Sequence, residues 1–175
     1  INLGLFYGMG KNKLQAELGV SKEDAEDLFR TYHDKVPFVK MLMESVSRRV
    51  QEMGHVRTLL GRRCRFPLWE PNQFGIHKPL KHEEALLEHG PGIRRAFTYK
   101  ALNKLIQGSA ADMTKKAMVE LYKEGIVPHI QVHDELDISV DGNADKIKEI
   151  METAVKLEVD NKVDYESGPN WGTIK

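Results

Sequence analysis

Residues 126–140 carry the pattern that most restricts the fold of this chain. Two runs of alternating apolar residues, Ile130 and Val132, then Leu136, Ile138 and Val140, are separated by the polar triplet His133-Asp134-Glu135. A period of two is typical of half-buried strands, so the pattern predicts a strand, a turn and a second strand. Asp134 and Glu135 would then lie at a solvent-accessible edge on a rigid support.

A long helix is predicted before this hairpin. Apolar residues recur at helical spacing over residues 93–124, and Gly125 ends the pattern. The predicted core stripe consists of Leu102, Ile106, Ala110, Met113, Ala117 and Leu121. A different, polar face carries Tyr99, Asn103 and Gln107, which are spaced four residues apart.

Helices are also predicted for residues 1–54. One is expected over residues 2–18, although each of its glycines costs roughly 1 kcal/mol relative to alanine. Ser21 and Asp24 form a capping-box pattern for a second helix, and Pro37 suits the first turn of a third helix, which Gly54 ends. The buried stripes of these two helices are predicted to be Ala25, Leu28, Phe29 and Tyr32, and Phe38, Leu42, Val46, Val50 and Met53.

The remaining segments predict a mixed architecture. Residues 55–67 are expected to form a short hairpin, whereas residues 67–92 hold four of the seven prolines and indicate an irregular excursion. Asp141-Gly142 turns the chain into a last helix, and residues 163–175 are expected to form a strand and an irregular end. Three helices followed by helices and an antiparallel hairpin predict an α+β fold.

Charge is unevenly distributed along the chain, although its formal net charge is zero. Between Arg48 and Arg65 there are six arginines and one acidic residue, Glu52. Such a stretch would attract phosphate groups. On charge alone, a solvated helix and hairpin surface is an equally good interpretation.

Cysteine usage and hydropathy restrict the cellular context. Cys64 is the only cysteine, which excludes an internal disulfide and a cysteine-rich zinc site and fits a reducing compartment. No apolar run approaches the ~20 residues needed to span a bilayer, so we expect no membrane partner. The chain opens on Ile1 without a methionine or a signal peptide, and we expect it to be a piece of a longer protein.

Each chemical signal has a simpler alternative. The Asp134–Glu135 pair offers hard oxygen ligands that suit Mg²⁺, but acidic residues are also common in turns. The seven histidines show no zinc-ligand spacing. Amides such as Asn103 and Gln107 can bind bases or sugars, but on an exposed helix face they are usually only solvated. Tyr7 could stack on a base, or it could belong to the core.

Four short segments follow one another along the chain, at residues 2–9, 58–63, 103–112 and 131–136. Together and in this order they resemble the motifs of family A DNA polymerases, which include bacterial DNA polymerase I and phage relatives. Residues 2–9 are similar to the second half of motif B, and residues 58–63 are similar to the TxxGRR hairpin. Residues 103–112 resemble the NxxxQGxAAD helix, and residues 131–136 match motif C, QVHDEL. The resemblance covers essentially the whole chain, down to the ending Gly168-Pro169-Asn170-Trp171.

The resemblance implies a right-hand polymerase fold, with residues 1–54 in the fingers and residues 55–175 as the C-terminal half of the palm. The implied reaction is template-directed nucleotidyl transfer in DNA replication, in which the primer 3′-hydroxyl attacks a deoxynucleoside triphosphate and pyrophosphate leaves. Two Mg²⁺ ions would assist it in the complete enzyme. The implied partners are primer–template DNA, deoxynucleoside triphosphates and the N-terminal part of the polymerase. The implied location is the cytoplasm, that of a bacterial host if the protein is phage-encoded.

The resemblance also implies roles for single residues. Asp134 would be one of two metal-bridging aspartates, with Glu135 beside it as a catalytic residue. Nucleotide binding is implied for Leu3 and Tyr7, and DNA contacts are implied for His133, Asn103, Gln107, Arg62 and Arg63. The chain departs from the family pattern at Leu3, where phenylalanine or tyrosine is usual, and at Tyr99, where arginine is usual.

The largest departure is that motif A, with the second aspartate, and the lysine that grips the triphosphate would lie upstream of Ile1. We therefore expect the isolated chain not to polymerise. One alternative is a non-catalytic module that binds primer–template DNA. Another is a two-metal phosphohydrolase, which would need a further carboxylate or histidine cluster beside Asp134. A structural domain without a site is the simplest alternative.

Overall fold

The structure is a computed structural model that describes residues 2–73, 75–139 and 141–174, with the side chains of residues 2 and 3 outside the described part. The chain divides into two compact units, Ile1–Gly108 and Ser109–Lys175. Helices and short antiparallel strands occur in the described parts of the chain, which confirms the predicted α+β class.

The first unit contains most of the elements. Four helices come first: α1 (Asn2–Phe6), α2 (Lys11–Leu18), α3 (Lys22–Lys35) and α4 (Pro37–Met53). They are followed by β1 (His55–Arg57), β2 (Arg63–Arg65), β3 (Leu68–Pro71), β4 (Leu80–Lys81), α5 (His82–His89) and β5 (Ile93–Arg95). A 3₁₀ turn (Thr98–Lys100) leads into α6 (Ala101–Lys123), whose first eight residues complete the unit.

The second unit contains the rest of α6 and the acidic hairpin. Its elements are β6 (Ile130–Val132), β7 (Glu135–Asp137), α7 (Ala144–Thr153) and a 3₁₀ turn (Trp171–Thr173). The hairpin and the last helix are confirmed, but Ile130 and Val132 of β6, which the alternating pattern predicted to be half-buried, are exposed. The strand predicted within residues 163–175 is wrong for the described residues 163–174, which form no strand. Gly168 and Pro169 interrupt this segment, and neither residue favours a paired strand.

The single helix predicted over residues 2–18 is wrong, because the chain forms α1 and α2 with a break between them. Gly8 adopts φ 86° at this break, and its N–H donates to the Leu5 carbonyl at 3.0 Å. A positive φ is accessible to glycine at little steric cost and ends a right-handed helix. Gly19, with φ 63°, ends α2 as predicted.

The predicted caps of α3 and α4 are confirmed. Ser21 Oγ accepts a hydrogen bond from the Asp24 N–H at 3.1 Å, Pro37 is the first residue of α4, and Gly54 ends α4 with φ 72°. The predicted stripes are only partly correct, since four of their members are exposed: Leu28, Phe38, Leu42 and Met53. Val39 is fully buried instead of Phe38, because successive helical residues differ by about 100° in direction and the packed face is rotated.

The core of the first unit joins α4, the β1–β2 hairpin and the start of α6. Its buried members are Val46, Val50, Val56, Phe66, Ala101 and Leu102. Gln51 is a residue of α4. Its side-chain amide donates a hydrogen bond to the Arg95 carbonyl at 3.0 Å and accepts one from the Arg95 N–H at 2.9 Å. These contacts hold β5 and the following turn against α4.

The segment predicted as irregular contains regular structure. β3 lies between β4 and β5 in a three-stranded antiparallel sheet, and α5 follows β4 directly. Trp69, on the central strand, has the Arg95 guanidinium 4.4 Å from its ring centre. The short strands escape a composition-based prediction because their proline and glycine neighbours dominate the local signal.

The long helix predicted over residues 93–124 starts later than expected. Residues 93–95 pair with β3, and Phe97 then adopts φ 61°, which interrupts any right-handed helix. Tyr99 consequently lies on the 3₁₀ turn before α6. Ser47 Oγ holds this turn by donating to the Thr98 carbonyl at 2.9 Å.

The core of the second unit supports the acidic hairpin. Leu121 of α6, Ile126 and Ile147 of α7 are buried together, and Leu136 and Ile138 pack against them. On the outer face of α6 the pKa of Glu120 is lowered because the Lys116 and Lys123 ammonium groups donate hydrogen bonds to its carboxylate. Within the described ranges, no helix combines the length and apolar character needed to cross a membrane.

Candidate functional site

The acidic hairpin has a two-residue turn. Val132 pairs with Glu135, so only His133 and Asp134 lie between the strands. His133 adopts φ 53°, which is a left-handed backbone conformation. Few residues other than glycine adopt it, and histidine is one of those that do so more often. The Gln131 side-chain amide donates a hydrogen bond to the His133 carbonyl. The backbone around the turn is therefore held by a local contact as well as by strand pairing.

Both carboxylates of the turn are accessible. Asp134 and Glu135 are exposed, whereas the next residue, Leu136, is half-buried against the core of the second unit. The predicted arrangement, with acidic groups on a solvent-accessible edge and apolar support behind them, is present. Such an edge can hold a hard cation that completes its shell with water and phosphate oxygens.

The hairpin carries a third carboxylate, that of Asp137, in addition to those of Asp134 and Glu135. Strand alternation places Asp137 on the same face as Glu135, two residues along β7. Among the described residues, however, no group of three or more histidine, cysteine, aspartate or glutamate side chains could hold a metal ion. The further cluster that a two-metal phosphohydrolase would require is therefore missing from the described residues.

One contact of the site has no counterpart in the sequence prediction. The Trp171 indole N–H donates to Glu135 Oε1 at 3.4 Å, across 36 residues of sequence. The segment between α7 and the turn that carries Trp171 has no regular structure. The sequence therefore offers no periodicity or motif spacing from which the approach of Trp171 to the hairpin could be predicted.

The β1–β2 hairpin of the first unit carries exposed arginines. Arg63 is exposed on β2, while Arg62 Nη2 donates to the Gly108 carbonyl of α6 at 2.8 Å. Arg62 therefore has a structural contact that the sequence did not reveal. It ties the hairpin to the helix one residue after Gln107.

The polar face of α6 begins beside this contact. Asn103 is half-buried, and its side-chain Oδ1 is buried without a hydrogen-bond partner among the described residues. Gln107, one turn later, is exposed. An unpaired buried amide oxygen costs about 1–3 kcal/mol, so a ligand that donates to it would be favoured.

Leu3 and Tyr7 are the two residues predicted to bind the nucleotide. Leu3 lies on α1, and Tyr7 directly follows α1. The Tyr7 ring is half-buried and packs edge-on against Phe6, with 5.7 Å between the ring centres. The prediction for Leu3 concerns a side chain outside the described residues. The structure thus groups His133, Asp134 and Glu135 in the second unit, and Arg62, Asn103 and Gln107 in the first.

Replacing Gly108 with alanine is expected to destabilise the chain by about 1–3 kcal/mol through overpacking, partly offset by the better helix propensity of alanine. An added Cβ would lie 2.8 Å from Thr58 Cγ2. Thr58 is buried, and its hydroxyl accepts from the Arg62 N–H at 3.0 Å, so this stiff side chain cannot move aside easily.

Urea unfolding of the Gly108→Ala variant tests this expectation. Gly92→Ala is the matched control, since a Cβ there meets nothing within 4 Å. Equal unfolding midpoints for the two variants would show that the hairpin does not pack tightly on α6.

Comparisons with known proteins give a consistent result. Residues 1–173 match the family described as DNA polymerase family A. The chain is 33% identical to a DNA-directed DNA polymerase of Pseudomonas phage M6, over 98% of this chain and 28% of that protein. It is 32% identical to DNA polymerase I of Geobacillus stearothermophilus, over 100% of this chain and 19% of that protein. The chain thus spans between 19% and 28% of the length of these relatives.

A solved structure is also similar. It is the POL domain of Pol1 from M. smegmatis in complex with DNA primer-template and dNTP. The TM-score is 0.66 and the sequence identity is 28%, over 90% of this chain and 27% of that chain.

Proposed function

The chain belongs to DNA polymerase family A, and from this premise we propose that it contributes part of the catalytic centre of a DNA-directed DNA polymerase. The observation that carries the proposal is the pair of exposed carboxylates at the hairpin, Asp134 on the two-residue turn and Glu135 at the start of β7, which a hydrophobic core supports. The reaction would be transfer of a deoxynucleotide to the primer 3′-hydroxyl, directed by the template, with release of pyrophosphate. The two relatives are named DNA-directed DNA polymerase and DNA polymerase I.

The subdomain assignment is part of the proposal. Residues 1–54 would belong to the fingers and residues 55–175 to the C-terminal half of the palm. In support, every regular element before β1 is a helix, whereas all the strands of the described residues follow Gly54. The helical part would present Tyr7 to the incoming nucleotide and templating base, and the strand-containing part would present the acidic hairpin.

Asp134 and Glu135 would hold Mg²⁺. Their oxygens are hard ligands, both side chains are exposed, and the open edge leaves room for water and substrate oxygens, so the donor set fits this ion. When bound, two such ions lower the barrier by neutralising charge on the attacking and leaving oxygens. Asp134 would supply negative charge that holds the cation at the turn. His133, next to it in the left-handed turn, would contact the primer terminus.

Contacts with DNA would come from the first unit. Asn103 and Gln107 lie one turn apart on α6, and the unpaired Asn103 Oδ1 is an acceptor suited to a donor in the minor groove. Arg63, exposed on β2, would contact backbone phosphate, which positions a duplex without reading its sequence. Arg62, which donates to the Gly108 carbonyl at 2.8 Å, would add a second positive charge near the backbone phosphates.

Arg63→Ala is expected to weaken binding of a primer–template duplex uniformly across sequences. Loss of one phosphate contact should also reduce the slope of log affinity against log salt concentration by about 1. Fluorescence anisotropy over a series of salt concentrations measures both quantities. Arg30→Ala is the control, because Arg30 is an exposed arginine of α3 paired with Asp27 at 2.8 Å. An unchanged slope for Arg63→Ala would exclude this residue as a phosphate contact.

We further propose that residues 1–175 alone do not polymerise. The exposed carboxylates of the hairpin are Asp134 and Glu135, and no group of three or more histidine, cysteine, aspartate or glutamate side chains that could hold a metal ion occurs among the described residues. A second aspartate and a group that grips the triphosphate would have to come from another segment of the polymerase. The second unit would then complete its site only in an assembled enzyme.

Primer extension in Mg²⁺ tests the proposed function. The chain would be assayed alone and after mixing with the N-terminal part of a related family A polymerase. Extension only in the mixture supports a half-site completed by the added part, whereas efficient extension by the chain alone contradicts the predicted inactivity. Duplex binding without extension in either case would favour the second candidate, a non-catalytic primer–template-binding module. That candidate is supported by the unpaired Asn103 oxygen, which needs no carboxylate nearby.

A further inference from the structure

Trp171 contacts one of the two acidic residues of the hairpin. Its indole N–H donates to Glu135 Oε1 at 3.4 Å, and half of the tryptophan remains exposed, at 51%. The distance is longer than the usual 2.7–3.2 Å for this kind of bond, so the contact is weak as a source of stability. A donor at one carboxylate oxygen nevertheless favours one orientation of that carboxylate.

The turn that carries Trp171 has a defined shape. The Thr173 hydroxyl donates to the Asn170 carbonyl at 2.8 Å, and the Thr173 N–H donates to the same oxygen at 3.1 Å. Gly168 packs so closely on this turn that a Cβ would lie 3.1 Å from Thr173 Oγ1 and 3.2 Å from Ile174 Cγ1. The indole is therefore presented from a compact turn.

The segment before the turn is attached to α7. Asn161 Nδ2 donates to the Met151 carbonyl at 3.2 Å, and the Val163 N–H donates to Glu152 Oε1 at 3.0 Å. Met151 also packs against the core that supports Leu136, next to Glu135. Both ends of the Trp171–Glu135 contact are consequently anchored within the second unit.

We propose that Trp171 is a positioning residue for Glu135. By occupying Oε1, the indole N–H restricts rotation of the carboxylate and leaves Oε2 directed to the cation that Asp134 and Glu135 would share. Groups that orient a metal ligand through its second oxygen or nitrogen tune the affinity of the site. This inference rests on the proposed function of the hairpin.

The first test measures cation binding rather than activity. Mn²⁺, a paramagnetic substitute for Mg²⁺, is titrated into the same mixture that the primer-extension assay uses, the 175-residue chain with the N-terminal part of a related family A polymerase, and the free ion is followed by electron paramagnetic resonance. Trp171→Phe keeps an aromatic ring and removes the N–H, and it should weaken Mn²⁺ binding about tenfold. Trp69→Phe is the matched control, because the Trp69 ring packs against Arg95 and His82 in the first unit.

The second test observes the contact without any metal. The indole N–H resonance of Trp171 should shift in Glu135→Gln, since a neutral amide oxygen replaces the carboxylate acceptor. It should stay in place in Glu158→Gln, which changes an exposed glutamate of the same unit. Circular dichroism of every variant confirms that the fold is retained.

The possible outcomes distinguish the positioning role of Trp171 from the proposed function of the hairpin. The positioning role of Trp171 is overturned if Trp171→Phe leaves the Mn²⁺ affinity unchanged, or if Glu135→Gln leaves the indole resonance in place. In either case, loss of Mn²⁺ binding in Asp134→Asn would still support the proposed function. Mn²⁺ binding by Asp134→Asn that equals binding by the unchanged chain overturns the proposed function and the positioning role with it.

Discussion

Primer extension by the reconstituted polymerase is expected to fall on the order of a thousandfold or more when Asp134 is replaced by asparagine. Asparagine keeps the size of the side chain and one oxygen acceptor, but it loses the negative charge. Asp134 occupies a two-residue turn whose backbone is held by strand pairing and by the Gln131 side chain, so the substitution should leave the hairpin in place. The loss should therefore appear in catalysis and not in folding.

Asp160→Asn is the matched control for this variant, because it removes a charge from another exposed aspartate of the second unit. Extension rates should be measured for both variants under single-turnover conditions, with duplex affinity measured separately. The two-metal assignment fails if Asp134→Asn retains extension within about tenfold of the unchanged chain, a difference of only about 1.4 kcal/mol in activation free energy.

Leu121→Ala is expected to lower the free energy of unfolding of the second unit by about 2–5 kcal/mol. Leu121 is fully buried in the core that also contains Ile126 and Ile147. Truncation removes buried methyl groups and leaves a cavity that the surrounding helices can fill only partly. A small domain has a total stability of about 5–15 kcal/mol, so a large part of it would be lost.

Val119→Ala provides the control on the same helix, since Val119 is 50% exposed and should change stability by no more than about 0.5 kcal/mol. Urea unfolding followed by circular dichroism compares the two variants. The Leu121 variant should also bind Mn²⁺ less tightly, because Leu136 of the hairpin packs on this core. Similar unfolding midpoints for both variants would contradict the core assignment.

The acidic hairpin was predictable because its signals are local. Alternating apolar residues define the strands, and a polar triplet between them defines the turn. The helix caps are local in the same sense: the Ser21 hydroxyl bonds to Asp24 three residues away, and Gly54 ends α4 with a positive φ. Interactions of this kind depend on neighbours that the sequence places next to each other.

The errors arise where distant contacts override the local pattern. Residues 93–95 join β3 instead of α6, because Trp69 and its neighbours pair with them across more than twenty residues. The exposed Phe38 was expected in the core because a helical period does not by itself say which face packs. Glycine content predicted a weakened first helix, but not that Gly8 would separate α1 from α2.

By itself, the sequence determined the α+β class, the family and the position of the acidic turn, since these depend on short patterns and on the order of four motifs. Long-range packing is what brings Arg62 to the Gly108 carbonyl and Trp171 to Glu135, and what buries the Asn103 oxygen without a hydrogen-bond partner among the described residues. The physical reason is that a side-chain contact across tens of residues depends on how the intervening backbone packs, which no local pattern encodes.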